Sequence, residues 1–307
     1  MIVLGERHTF DEREIERLVQ QFDSIDTVAY DNIPANKVIT HIDALVSSKT
    51  KSTIILNTAA RIPDDLLRHL TNLEQRGITY ITIENFLEKY LQKCYIPKDQ
   101  TSADFLEKIQ PLRLNQRAIK ALIDYPSALI LGFIYVVWYP IIYFLTNRQS
   151  PGSIHFVQDR VGLNNREFSC IKFRSMHLDA EKDGIKFASE DDDRIFPWGE
   201  TMRKYRIDEI PQFLNVLQGR MSLIGPRPER RFWIEQFEQE IPYYNTRHLV
   251  KPGITGWAQV MYPYGANAED ARQKLMYDLY YIKHWSPWLE VKTIWKTVMV
   301  VLGKKGL

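Results

Sequence analysis

Cysteine is scarce: Cys94 and Cys170 are the only two in 307 residues, far apart and without metal or redox spacing. A disulfide framework and a cysteine-based metal site are excluded, and both thiols read as reduced cytosolic side chains. Excess charge is lacking too. The formal net charge is +2, so an anionic partner must be met by local cation clusters rather than by a global field, and no nucleic-acid partner is expected. The first β-branched run, IVLGERHTF, has one glycine where a dinucleotide site wants three, which removes that fingerprint. No signal peptide opens the chain. The length is too great for one ordinary core and too small for three, so two domains are expected.

From Met1 to about Tyr95, short β-branched runs (IVLG, TVAY, STIILN, ITYITI) alternate with amphipathic stretches at Asp11 to Phe22, Ala35 to Val46 and Pro63 to Gln75. A last helix carries Phe86, Leu87, Tyr90 and Leu91. Strands alternating with helices predict a parallel α/β layer. With no cofactor fingerprint, the domain reads as structural or regulatory.

Lys98 to Gln116 is polar and reads as a linker, placing the domains at 1–98, 99–116 and 117–307. From Tyr125 to Asn147 no residue is charged, and ALILGFIYVVWYPIIYFL is apolar enough to enter a bilayer. Three readings stand: a re-entrant hairpin over 117–149, a full crossing, and a buried soluble helix. Both flanks are basic, with Arg113, Arg117 and Lys120 before and Arg148, Arg160 and Arg166 after, and Pro140 interrupts the run. The hairpin meets both observations. Near the C-terminus, Trp285, Trp288 and Trp295 alternate with lysines at helical spacing, which predicts either an interfacial helix or an ordinary core helix.

The stretch from Arg203 to Glu229 is the most informative. Asp208 and Glu209 follow Arg203, Lys204 and Arg206, and Pro211 fits the first turn of a helix running to Gly219. An acid pair at a helix N-terminus is often only a cap. Among fixed cations it also suits phosphate chemistry, since positive neighbours and the helix dipole hold a carboxylate ionised and attract phosphate. Lys172 and Arg174, two apart on the run FSCIKFRSM, share one strand face and suit a diphosphate or lipid phosphate; a solvated edge strand is the alternative. Pro226 and Pro228 would hold Arg227 in a fixed turn. In KPGITGWAQ the glycines and Pro252 specify a turn, and Trp257 reads as packing. The acidic run Glu190 to Asp193 reads as a solvated loop, and His155, His177, His248 and His284 lack ligand spacing.

In order, SPG at Ser150, QDRVG at Gln158, KFRSM at Lys172, RIDE at Arg206, GPRP at Gly225 and KPGITGWAQV at Lys251 resemble the bacterial sugar transferase family. These are monotopic phosphoglycosyl transferases, similar to undecaprenyl-phosphate sugar-1-phosphate transferases that begin glycan and exopolysaccharide assembly. The resemblance covers about Arg117 to the C-terminus. More weakly, GITYITIENFLEKY resembles the Rossmann-like domain of longer members, which usually begin with several transmembrane helices; the chain resembles a shortened form.

The fold so implied is α/β: a Rossmann-like parallel domain, a re-entrant membrane hairpin, and a small mixed α/β monotopic transferase domain with interfacial helices. The implied activity is transfer of a sugar-1-phosphate from a UDP-sugar to undecaprenyl phosphate with loss of UMP, at the cytoplasmic face of a bacterial inner membrane. Asp208 matches the family nucleophile and Glu209 its partner, the two holding Mg²⁺. Arg203, Arg227, Lys172 and Arg174, with Pro226 and Pro228, are the implied phosphate-binding set. Membrane lipid and a second copy of the chain are the further implied partners. The chain departs from the family pattern at Pro140, about one turn late for the hairpin break, and at Arg220 and Met261, where many members carry an acid and an asparagine.

Overall fold

The structure is a computed structural model that describes residues 1–47, 53–58, 61–97, 107–182, 184, 192–262, 265 and 267–303. The chain divides into two compact units, Met1–Tyr95 and Ile96–Leu307. Residues 99–106 of the expected linker lie outside the described residues.

In the first unit four strands, β1 (Ile2–Leu4), β2 (Asp26–Val28), β3 (Thr53–Leu56) and β4 (Thr79–Thr82), form a wholly parallel sheet in the order β2-β1-β3-β4. The predicted parallel layer is therefore present. Helices α1 (Glu12–Val19), α2 (Ala35–Ser47) and α3 (Asp64–Glu74) fill the connections. Asp11 and Glu14 close a capping box at the start of α1, which satisfies backbone donors that the helix itself leaves unpaired. Val38, Ile42, Leu66, Leu70 and Leu73 face Ile2, Leu4 and Ile54 across the core. The last predicted helix is a short one, α4 (Ile83–Phe86), that passes into a π turn at Leu87–Leu91.

The second unit is organised around α5 (Leu114–Gln149), one helix of 36 residues that contains both Pro126 and Pro140. It is long and apolar enough to cross a membrane. The predicted break at Pro140 does not end it. Lys120, Asp124, Ala128, Ile142 and Thr146 are buried against the rest of the unit, spaced by four residues or by about four whole turns and so on one helix face. Leu129, Phe133, Val136, Trp138, Ile141 and Phe144 are exposed. Lys120, counted as a basic flank, is instead buried, its ammonium 3.0 Å from Glu290 Oε1. Glu290 has no exposed surface and also accepts from Tyr281 Oη at 2.5 Å and Trp285 Nε1 at 2.7 Å.

Glu290 lies on α11 (Pro287–Leu302), capped by Ser286. Trp288, Val291, Trp295, Met299 and Leu302 are exposed along this helix, the pattern predicted for an interfacial helix. Trp285 is not part of that face: it is buried, and its indole N–H serves Glu290.

An antiparallel hairpin of β5 (His155–Val161) and β6 (Glu167–Phe173) and a parallel pair of β7 (Ser222–Ile224) and β8 (Gly253–Thr255) frame the remaining helices. Asn215 joins β6 to the helix α7 (Phe213–Leu217), accepting from Ile171 N and donating to Ser169 O. That buried amide covers an edge of β6, so the strand is not the solvated one considered above.

Candidate active site

The acid pair sits in a 3₁₀ turn, Ile207–Gln212, that follows α6 (Pro197–Lys204) and leads into α7. Pro211 lies inside the 3₁₀ turn, ahead of the α-helix it was expected to start. Arg206 enters this turn with φ 54°, a left-handed conformation that is uncommon for a side-chain-bearing residue and reverses the chain between the cations of α6 and the acids.

The two neighbouring carboxylates have opposite environments. Glu209 Oε1 lies 2.9 Å from Arg227 Nη2 and 3.0 Å from Lys172 Nζ, and its Oε2 lies 3.3 Å from Arg206 Nη1. Burial pushes the Glu209 carboxyl up, but Arg227, Lys172 and Arg206 overcome this and hold it well below the usual carboxylate range. Among the described residues the Asp208 carboxylate has no hydrogen bond or ion pair, and it lines the large cleft beside it. Burial and the charge of Glu209 raise its pKa, against the pull of Lys172, Arg203 and Arg227. A carboxylate that is unpaired, basic and faced by cations suits nucleophilic attack on phosphorus.

The cleft has a volume of about 670 Å³. One wall comes from the β5–β6 hairpin, the acid-bearing turn and the Gly225–Pro228 turn, bringing together Lys172, Arg203, Arg206, Asp208 and Arg227. Among the described residues Arg203 Nε is buried without a partner, a donor for phosphate. The proline turn is fixed by backbone: Gly253 N donates to Pro226 O, and Arg160 Nη1 to Pro228 O. A Cβ at Gly225 would strike the Lys251 carbonyl, so the close approach of the two motifs requires glycine there. Arg247, which sequence spacing did not single out, donates to Arg227 O at 3.0 Å and pairs at 2.8 Å with buried Asp278 on α10 (Ala268–Lys283).

Arg174 has a different setting. The strand ends at Phe173, and the Arg174 guanidinium donates to Ser153 O, Ser150 Oγ and Ser150 O. It anchors the Ser150 turn at the end of α5, which places that turn rather than presenting a free fork to phosphate. Trp257 is packed, 1% exposed. Asp192 pairs with Arg194 at 2.6 Å, while Glu190 and Asp191 lie outside the described residues. Neither Arg220 nor Met261 is among the cleft-lining residues.

No group of three or more His, Cys, Asp or Glu side chains gathers among the described residues to hold a metal alone. Mg²⁺ needs only one or two carboxylates when substrate phosphates complete its shell. Asp208 fits that requirement; Glu209, expected as the second ligand, is already engaged by three cations.

The family model for bacterial sugar transferases matches residues 115–304. The chain belongs to the bacterial sugar transferase family. Among curated relatives it is similar to the UDP-N-acetylgalactosamine-undecaprenyl-phosphate N-acetylgalactosaminephosphotransferase of Aeromonas hydrophila, 52% identical over 53% of this chain and 38% of that protein. It is also similar to the UDP-glucose:undecaprenyl-phosphate glucose-1-phosphate transferases of Xanthomonas campestris pv. campestris, 45% identical over 51% of this chain and 33% of the relative, and of Escherichia coli (strain K12), 40% identical over 48% and 32%. The chain thus spans well under half the length of these relatives, and family membership rests on the unit that carries α5 and the cleft.

Proposed function

We propose that this protein transfers a sugar-1-phosphate from a UDP-sugar to undecaprenyl phosphate, as the names of its relatives describe for them. The observation that carries the reading is the split between the two acids: Glu209 fixes three cations as a phosphate cradle, and Asp208 faces the cleft unpaired.

In the first step an Asp208 carboxylate oxygen attacks the sugar-bearing phosphorus, forming an aspartyl-phosphosugar; the bond to the bridging oxygen breaks, and UMP leaves with that electron pair. In the second, an oxygen of the polyprenyl phosphate attacks the same phosphorus, and the Asp208 carboxylate departs. Lys172, Arg203 and Arg227 offset charge on the phosphates in both. Mg²⁺, held by Asp208 and the diphosphate, would add Lewis-acid neutralisation of that charge.

The exposed apolar faces of α5 and α11 support membrane association, and the basic flanks Arg113, Arg117 and Arg148 favour the cytoplasmic side, with α5 dipping in and returning through a bend at its prolines rather than through a break. The parallel domain, Rossmann-like in class, would be an accessory unit. Nucleotide release by the purified chain with Mg²⁺, undecaprenyl phosphate and a panel of UDP-sugars tests the reading. UMP release that requires Asp208 supports it. UDP release points instead to a lipid glycosyltransferase, and absence of turnover on every UDP-sugar to a non-catalytic scaffold.

A further inference from the structure

The second wall of the cleft holds a polar group that the phosphate chemistry does not use. Gln259 is on the short helix α9 (Trp257–Met261), just after β8. It is 8% exposed and lines the cleft, yet among the described residues neither its Oε1 nor its Nε2 has a hydrogen-bond partner. An amide buried with both donor and acceptor unpaired is unfavourable, and such groups are rare in folded proteins unless a ligand completes them. A Cβ at Gly256 would meet both the Gly225 carbonyl and Gln259 Oε1, so the amide lies beside the turn that carries Arg227.

Besides Phe156 and Phe173 of the hairpin wall, a row of aromatic side chains from beyond the Gly225–Pro228 turn lines the cleft. Helix α8 (Arg231–Glu240) supplies Trp233 and Phe237, whose rings lie 6.4 Å apart at 22°, and Tyr244 continues the row 5.4 Å from Phe237. Together these features suit a flat heteroaromatic ring with a hydrogen-bonding edge. We infer that Gln259 reads the uracil base of the donor nucleotide, its amide pairing in two-point fashion with the imide edge while the phosphates lie on the cationic wall.

The geometry favours a base over a sugar. A carboxamide offers a donor and an acceptor side by side in one plane, and the N3–H and C4=O of uracil present the complementary pair at the same spacing; a sugar hydroxyl has no such fixed coplanar pair. Aromatic surfaces add stacking that tolerates any base, so the edge contact supplies the selectivity. A side-chain rotation of Gln259 is needed to turn the sealed amide to the ligand.

The inference rests on the UDP-sugar reading, and the test separates the two. Equilibrium binding is measured with the full chain in lipid nanodiscs, using UDP, 3-methyluridine diphosphate, UDP-sugar and pyrophosphate as probes, on wild type, Gln259→Leu and Gln259→Glu. Gln259→Leu is expected to weaken UDP by about ten- to a hundredfold and to leave pyrophosphate unchanged, which also reports that the variant is folded. Wild type should reject the N3-methylated base by a similar factor, Gln259→Leu should be indifferent to it, and Gln259→Glu should fall between. Equal weakening of UDP and pyrophosphate, an unchanged UDP affinity, or weakening of UDP-sugar but not UDP would overturn the base assignment while leaving the enzyme class standing. No UDP binding by wild type would remove the UDP-sugar reading and this inference with it.

Discussion

Arg227 Nη2 lies 2.9 Å from Glu209 Oε1, so the tip of the Gly-Pro-Arg-Pro turn is held by Glu209 rather than by Asp208, the proposed nucleophile. Two adjacent acids are thereby separated into one that positions cations and one that is left unpaired among the described residues.

Replacing either acid should therefore give different losses. Asp208→Asn is expected to abolish turnover with a thermal midpoint no lower than wild type, because an amide removes a buried charge that burial disfavours. Glu209→Gln leaves Lys172, Arg206 and Arg227 facing one another, and should lower stability by about 3 kcal/mol as well as activity. Thermal melts and turnover on the two variants check this; a stable, half-active Glu209→Gln would contradict it.

The raised pKa of Asp208 fixes the sign of the pH response. The proposed attack needs its ionised form, which is disfavoured in the folded chain, so kcat/KM should rise with pH through a value above the ordinary carboxylate range. For stability the same shift acts in reverse: the contribution is complete below the unfolded pKa and is lost as pH rises through the folded one. Lys172 pulls the Asp208 pKa down, so Lys172→Met should move the acidic limb of the rate profile to higher pH. A limb that stays in place or moves lower would be inconsistent with this arrangement.

His248 gives a second pH dependence, in stability alone. Burial and the neighbouring Arg247 lower its pKa from 6.5 to about 3. The unfolded chain takes up the proton first, so stability is complete above the unfolded pKa and is lost as pH falls, by about 1.4 kcal/mol per pH unit between those limits. Denaturant titrations from pH 7 to pH 4 should show that slope, and His248→Gln should flatten it.

Lys120 and Glu290 make the buried link between α5 and α11. Lys120→Met leaves the fully buried Glu290 charge uncompensated and should cost about 3–5 kcal/mol. Adding Glu290→Gln should recover much of that loss, because Tyr281 and Trp285 can still donate to the remaining carbonyl oxygen. A double variant as unstable as the single one would argue that the helix contact itself, not the charge, had been lost.

Motifs with local spacing were legible in the sequence. The strand and helix alternation of the first unit, the acid pair among cations, the proline turn and the apolar faces of α5 and α11 all follow from periodicity or from residue chemistry within a few positions. Contacts between distant segments were not. Lys120 looks like a membrane flank until Glu290 is placed beside it. Arg174 shares a strand periodicity with Lys172, but the strand stops one residue earlier and Ser150 takes its guanidinium. Arg247 and Gln259 carry no spacing signal, since their roles depend on which segments meet across the cleft. Arg206 was readable only as one more cation; its left-handed backbone and its bond to Glu209 emerge from the fold.

The central claim is that Asp208 becomes covalently attached to the phosphosugar. It is tested most directly by intact-mass and peptide-mapping mass spectrometry of the full chain incubated with Mg²⁺ and the UDP-sugar that supports turnover, without lipid acceptor. One phosphosugar adduct on the peptide containing Asp208, discharged on adding undecaprenyl phosphate and absent in Asp208→Asn, is the predicted result. UMP release on adding the lipid without any adduct beforehand, or an adduct that persists in Asp208→Asn, would contradict it.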